Sequence, residues 1–171
     1  MNELKPGRPV PQLKVDTVLG RKWSLQDTSP RAFDLIAIYR GSFCSYCQEF
    51  VAELAADRSK FSARGIDILA VSMDNEANAN WAMSEWQIGS VTMGYGLSID
   101  QARDWDVFLT TREQNGQSIT FCEPALFLVT PDKRLYAAII QSIPCGRPDL
   151  SNLIRGLDFL ASQNYPIRGA S

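Results

Sequence analysis

The chain has 171 residues, 45% of them hydrophobic and 21% charged, with a formal net charge of −2 and no histidine. Those values fit one globular domain, 1–171, with a real hydrophobic core, and not a disordered segment. The weak negative charge gives no electrostatic footprint for nucleic acid or an anionic membrane, and no apolar run approaches the ~20 residues of a membrane span. Without imidazole, Ser-His-Asp hydrolysis, Cys-His thiol proteolysis and histidine-dependent metal sites are excluded.

The N-terminal stretch 1–7 lacks the apolar core of a signal peptide, so a cytoplasmic location is the expectation. Residues 1–12, with Pro6, Gly7, Pro9 and Pro11, predict an extended lead-in. A strand is expected over 13–19, a turn at 20–22 and a short return strand over 23–25. Residues 33–39 form an almost unbroken apolar run, the pattern of a strand buried on both faces. From 46 to 64 the pattern turns helical, with Phe50, Val51, Leu54, Ala55 and Phe61 on one face and Gly65 as the stop.

A second buried strand is predicted over 66–73, a helix over 75–86, a short strand over 91–95 and a short helix over 100–105. The polar stretch 110–120 reads as a surface loop. Residues 125–129 and 135–140 read as antiparallel strands about the turn 130–133. A final amphipathic helix starts after Asp149, a natural N-cap. Strand, helix, strand, helix, hairpin and helix in that order give an α/β fold, a mixed sheet covered by helices on both faces.

The chemistry lies in the cysteines, at 44, 47, 122 and 145. One close pair with two distant partners argues against a zinc site, which wants two close pairs. No cofactor or metal is implied. Cys44 and Cys47 are spaced by two residues directly after a buried strand and directly before an amphipathic helix, the context of a redox dithiol. Unpaired N–H groups and partial positive charge at the helix start favour thiolate at the first cysteine. The second cysteine, one turn on, can then attack a mixed disulfide. Arg40 adds positive charge nearby. Cys122 and Cys145 read as packing residues.

Tyr39-Arg40-Gly41-Ser42-Phe43-Cys44-Ser45-Tyr46-Cys47 resembles the Tyr-Arg-Gly-x-Trp-Cys-Pro-Tyr-Cys signature of a peroxiredoxin-like subgroup. Glu123-Pro124-Ala125-Leu126-Phe127-Leu128-Val129, then Gln141-Ser142-Ile143-Pro144, resemble later parts of the same proteins. The chain is thus similar to the alkyl hydroperoxide reductase / thiol-specific antioxidant (AhpC/TSA) family of the thioredoxin superfamily. The resemblance implies a thioredoxin-like fold and a catalytic set of Cys44, Cys47, Arg40 and Pro124.

It further places Cys47 at the position that attacks peroxide, Cys44 where typical members carry a threonine, and Pro124 where they carry an arginine. In thioredoxin-like proteins a cis proline heads this strand and faces the dithiol, and Pro124 is expected in that role, the alternative being an ordinary proline at the start of a strand. The implied partners are a hydroperoxide or disulfide substrate and a thioredoxin- or glutathione-type electron donor, and a homodimer is compatible with the resemblance. Three activities stay open: hydroperoxide reduction through Cys47 with Cys44 resolving, disulfide reduction led by Cys44, and a non-enzymatic redox switch.

Overall fold

The computed structural model describes residues 4–171; residues 1–3 of the expected lead-in lie outside them. The elements run β1 (Lys14–Thr17), β2 (Lys22–Ser24), a 3-10 turn (Leu25–Asp27), β3 (Phe33–Ile38), α1 (Ser45–Ala56), α2 (Arg58–Ala63), β4 (Ile66–Val71), α3 (Glu76–Glu85), β5 (Thr92–Tyr95), α4 (Ile99–Asp104), β6 (Leu109–Gln114), β7 (Gln117–Cys122), β8 (Ala125–Val129), β9 (Leu135–Ile140) and α5 (Leu150–Ser162). Seven strands form one mixed sheet in the order β2-β1-β5-β4-β3-β8-β9. β4 lies parallel to β3 and β5, while β8 is antiparallel to both β3 and β9.

The unbroken apolar run of β3 follows from its central place. Leu35 and Ala37 enter one core layer, with Phe50, Val51 and Leu54 of α1 and Leu150, Ile154 and Leu157 of α5. Ile36 and Ile38 enter the other, with Val15, Trp105 and Phe127. Alternate side chains of one strand therefore need opposite faces, and both are covered. Asp34 is the exception within β3. It is buried, and its Oδ2 accepts from Lys133 Nζ at 2.9 Å and from Thr28 Oγ1 at 2.7 Å.

Two sequence expectations are corrected. The helix expected over 46–64 is two helices. At Asp57 the backbone leaves helical geometry (φ −91°, ψ 5°), and its carbonyl accepts from the N–H of Lys60 and Phe61 to restart the chain as α2. The polar stretch expected to be a loop is the β6–β7 hairpin, paired from Leu109↔Cys122 to Gln114↔Gln117. Asn115 and Gly116 take φ of 52° and 73°, the two left-handed residues of a tight hairpin turn. Among the described residues no helix is long and apolar enough to cross a membrane.

The topology brings several chain segments to one end of the sheet. β4 is parallel to β3, and β9, antiparallel to β8, runs the same way as β3. The segments leaving β3, β4 and β9 and the segment arriving at β8 therefore meet at the same edge.

Candidate active site

At that edge β3 gives way to the turn 40–44. Tyr39 still donates its N–H to Val71 O at 3.0 Å. Gly41 then turns with φ +141°, and a Cβ there would stand 2.9 Å from Asp74 Oδ1 and 3.0 Å from the Phe43 ring. Only glycine takes this conformation without strain. The turn is held from the β4 side, where Asp74 Oδ2 accepts the Ser42 N–H at 2.7 Å. Burial raises the Asp74 carboxyl above its ordinary range, and the hydrogen bond from Ser42 opposes this.

Cys44 is the N-cap of α1. Its sulfur accepts the Cys47 N–H at 3.3 Å, where a Ser or Thr oxygen commonly sits. Cys47 lies one turn on and is fully buried, while Cys44 keeps 6% exposure. The two sulfurs face one another, and the Cys44 thiol is pushed down to about 6. The largest cause is the hydrogen bond from the Cys47 thiol, joined by the Cys47 amide and the charges of Arg147 and Arg40. The Cys47 thiol is pushed up, first because it holds the proton given to Cys44, then by burial, with Arg147 opposing. The pair thus gives up one proton readily and shares the other.

The sequence reading missed Arg147. Its Nη2 donates to Cys47 Sγ at 2.9 Å and its Nε to Pro144 O at 3.2 Å, and its guanidinium lies 4.8 Å over the Phe50 ring. A charge-assisted contact held from three sides is a preorganised one. Arg147 sits on the segment that leaves β9, which the sheet topology brings to the same end as the dithiol.

Arg40 has a carboxylate partner of its own. Its Nε faces Glu123 Oε2 at 3.4 Å, within ion-pair distance but without the alignment of a hydrogen bond, and both atoms are buried. Glu123 Oε1 accepts from Thr110 Oγ1 at 2.7 Å, tying β6 to the site. The expectation of a cis proline is corrected, since no described peptide bond is cis and Glu123–Pro124 is trans. Pro124 has the ordinary role of a residue opening a strand, and its carbonyl accepts the Gln141 N–H at 3.0 Å. Cys122 packs in the second core layer, its thiol pushed up to about 12 by burial and by the Glu123 charge, and Cys145 is exposed. Among the described residues no cluster of His, Cys, Asp or Glu is arranged to hold a metal.

The AhpC/TSA family profile matches residues 6–138. The chain belongs to the AhpC/TSA family. The 1-Cys peroxiredoxin of Dictyostelium discoideum is 27% identical over 168 residues, 97% of this chain and 68% of that protein. The 1-Cys peroxiredoxin of Medicago truncatula is 23% identical over 164 residues, 94% of this chain and 74% of that protein. The crystal structure of peroxiredoxin 6 of Arenicola marina superimposes with a TM-score of 0.78 at 18% identity, covering 93% of this chain and 74% of that one. That of the 2-Cys peroxiredoxin of Plasmodium vivax gives 0.75 at 15% identity, covering 94% and 83%. This AhpC/TSA chain is a peroxiredoxin-like oxidoreductase with a thioredoxin-like fold.

Proposed function

We infer that this AhpC/TSA protein reduces small hydroperoxides with Cys47 as the attacking sulfur and Cys44 as the resolving one. The observation that carries this reading is the 2.9 Å contact from Arg147 Nη2 to Cys47 Sγ. It supplies, from the segment after β9, the guanidinium that Pro124 cannot supply. When the shared proton rests on Cys44, the thiolate lies on Cys47 against Arg147. Attack on a peroxide oxygen breaks the O–O bond, forms a Cys47 sulfenic acid and releases an alkoxide, which takes a proton from the neighbouring Cys44 thiol. The Cys44 thiolate then attacks the sulfenic sulfur, the S–S bond forms, and hydroxide leaves and is protonated to water. The sum is one hydroperoxide and two thiols going to one alcohol, one water and one disulfide. Full burial of Cys47 favours reactants of the size of hydrogen peroxide.

Disulfide reduction led by Cys44 is the second reading, and it rests on the lower proton affinity and greater exposure of that thiol. Peroxide consumption measured beside insulin-disulfide reduction separates the two. The first reading expects peroxide consumption that Cys47→Ser abolishes. Insulin reduction that is lost in Cys44→Ser and stops at a trapped mixed disulfide in Cys47→Ser, without peroxide consumption, supports the second.

A further inference from the structure

Two guanidiniums act on the dithiol, and they are balanced differently. Arg147 has no carboxylate within ion-pair distance among the described residues, and its Nη2 donates to Cys47 Sγ at 2.9 Å. Arg40 faces Glu123, with its Nε 3.4 Å from Oε2. The Glu123 side chain is 7% exposed, so its carboxylate depends on a protein cation rather than on water. Both partners are fixed from behind. Glu123 donates its N–H to Phe108 O at 2.7 Å and accepts from Thr110 Oγ1 at 2.7 Å. Arg40 lies over the Phe121 ring at 4.8 Å and the Phe43 ring at 5.7 Å. The charge of Arg40 acts on Cys44, whereas Cys47 is met by the backbone N–H of Arg40. Asp74 and Arg112 are the further charged groups on the neighbouring elements. Asp74 accepts the Ser42 N–H, Arg112 is exposed over the Phe43 ring, and among the described residues neither is hydrogen-bonded to a sulfur.

We propose that Glu123 is a positioning residue that selects the reacting sulfur: by holding and neutralising Arg40 it leaves the dithiol to Arg147, and so draws the single negative charge of the pair to Cys47 rather than to Cys44. The inference rests on the assignment of Cys47 as the sulfur that attacks peroxide. The four charges then match in two pairs, Glu123 with Arg40 and the thiolate with Arg147. A cation near one sulfur favours the charge on that sulfur. With the Glu123 charge removed, Arg40 competes with Arg147, the shared proton passes from Cys44 to Cys47, and the thiolate rests on Cys44. Thiolate on Cys47 is the starting state for attack on a peroxide, and thiolate on Cys44, the less buried sulfur, is that for attack on a disulfide. Glu123 touches neither sulfur in this scheme and works only through Arg40.

Glu123→Gln removes the charge and keeps an oxygen for Thr110. NMR of isotope-labelled cysteine Cβ carbons in the reduced protein at neutral pH reads the charge on each sulfur separately, without any substrate. In Glu123→Gln the Cys44 carbon is expected to move toward its thiolate position and the Cys47 carbon toward its thiol position. The ratio of the peroxide rate to the rate of Cys44 alkylation by iodoacetamide should fall about tenfold, the effect of one pK unit between the two sulfurs. Arg40→Gln, prepared independently, should move both carbons the opposite way, and adding Glu123→Gln to it should move them no further. Carbon positions unchanged in Glu123→Gln, or moved equally when Arg40 is absent, overturn the proposal. A loss of peroxide rate with both carbons in place marks Glu123 as merely structural and overturns it as well. Wild-type protein that consumes no peroxide ends the peroxidase reading alone, and the carbon positions still decide the role of Glu123.

Discussion

Arg147 donates to the sulfur of Cys47 at 2.9 Å across a sequence separation of 100 residues. Its other contacts, to Pro144 O and the Phe50 ring, fix the guanidinium before any substrate arrives. Removal of a preorganised donor at a developing charge typically costs ~10²–10³ in rate. Arg147→Leu is therefore expected to lower the second-order rate with hydrogen peroxide by about that factor. Arg147→Lys, which keeps the charge and loses the planar fork, should fall between. Stopped-flow fluorescence can read both, because Trp86 packs in the same core layer as the two cysteines.

The pH dependence follows from the Cys44 thiol, pushed down to about 6. Above that pH the pair carries one negative charge, and below it both sulfurs are protonated. Peroxide reduction should therefore be near its plateau at about pH 7, halve near pH 6 and fall about tenfold for each further unit downward. Thiolate ultraviolet absorbance, lost in Cys44→Ser, should follow the same curve. A midpoint near the ordinary thiol value of 9.0 would contradict the shared-proton arrangement.

Much of this was legible in the chain. The unbroken run of β3, the amphipathic face of α1 and the spacing of Cys44 and Cys47 locate the dithiol without coordinates. Arg147 was not, because a single arginine in a turn with Pro144, Gly146 and Pro148 carries no periodicity. It becomes visible only once β9 is known to run the same way as β3, which puts both exits at one edge. The β6–β7 hairpin was hidden for a different reason. Its strands are solvated except at the end of β7, so β-branched residues and Asn115-Gly116 mark it while its polar composition suggests a loop. The break at Asp57 depends on one residue's backbone angles, to which the hydrophobic pattern is blind.

Gly41 makes a sharper test of the turn that presents the dithiol. Its φ is +141°, and an added methyl group would meet Asp74 Oδ1 at 2.9 Å, so Gly41→Ala must shift the turn or the carboxylate. The expected loss of stability is about 1–3 kcal/mol, read by urea unfolding, together with a slower peroxide reaction.

Far from the dithiol, the buried pair of Asp34 and Lys133 should be costly to break. Asp34 is 3% exposed and Lys133 19% at the side chain. Lys133→Met leaves the carboxylate buried beside Thr28 alone, and about 3 kcal/mol is expected, the low end for a buried pair because Lys133 is partly solvated. In a chain of this size that lowers the melting temperature by roughly 6–12 °C. Activity measured well below that temperature should be unchanged.

In the proposed cycle Cys44 resolves the oxidised Cys47 within one chain. Reduced protein is treated with one equivalent of hydrogen peroxide, the remaining thiols are alkylated, and the tryptic peptide from Gly41 to Arg58, which contains both cysteines, is weighed. The expected peptide is lighter by two hydrogens and carries no alkyl group, with Cys122 and Cys145 alkylated. A peptide with alkylated Cys44 and an oxygenated Cys47, or a disulfide joining Cys122 and Cys145 instead, would contradict it.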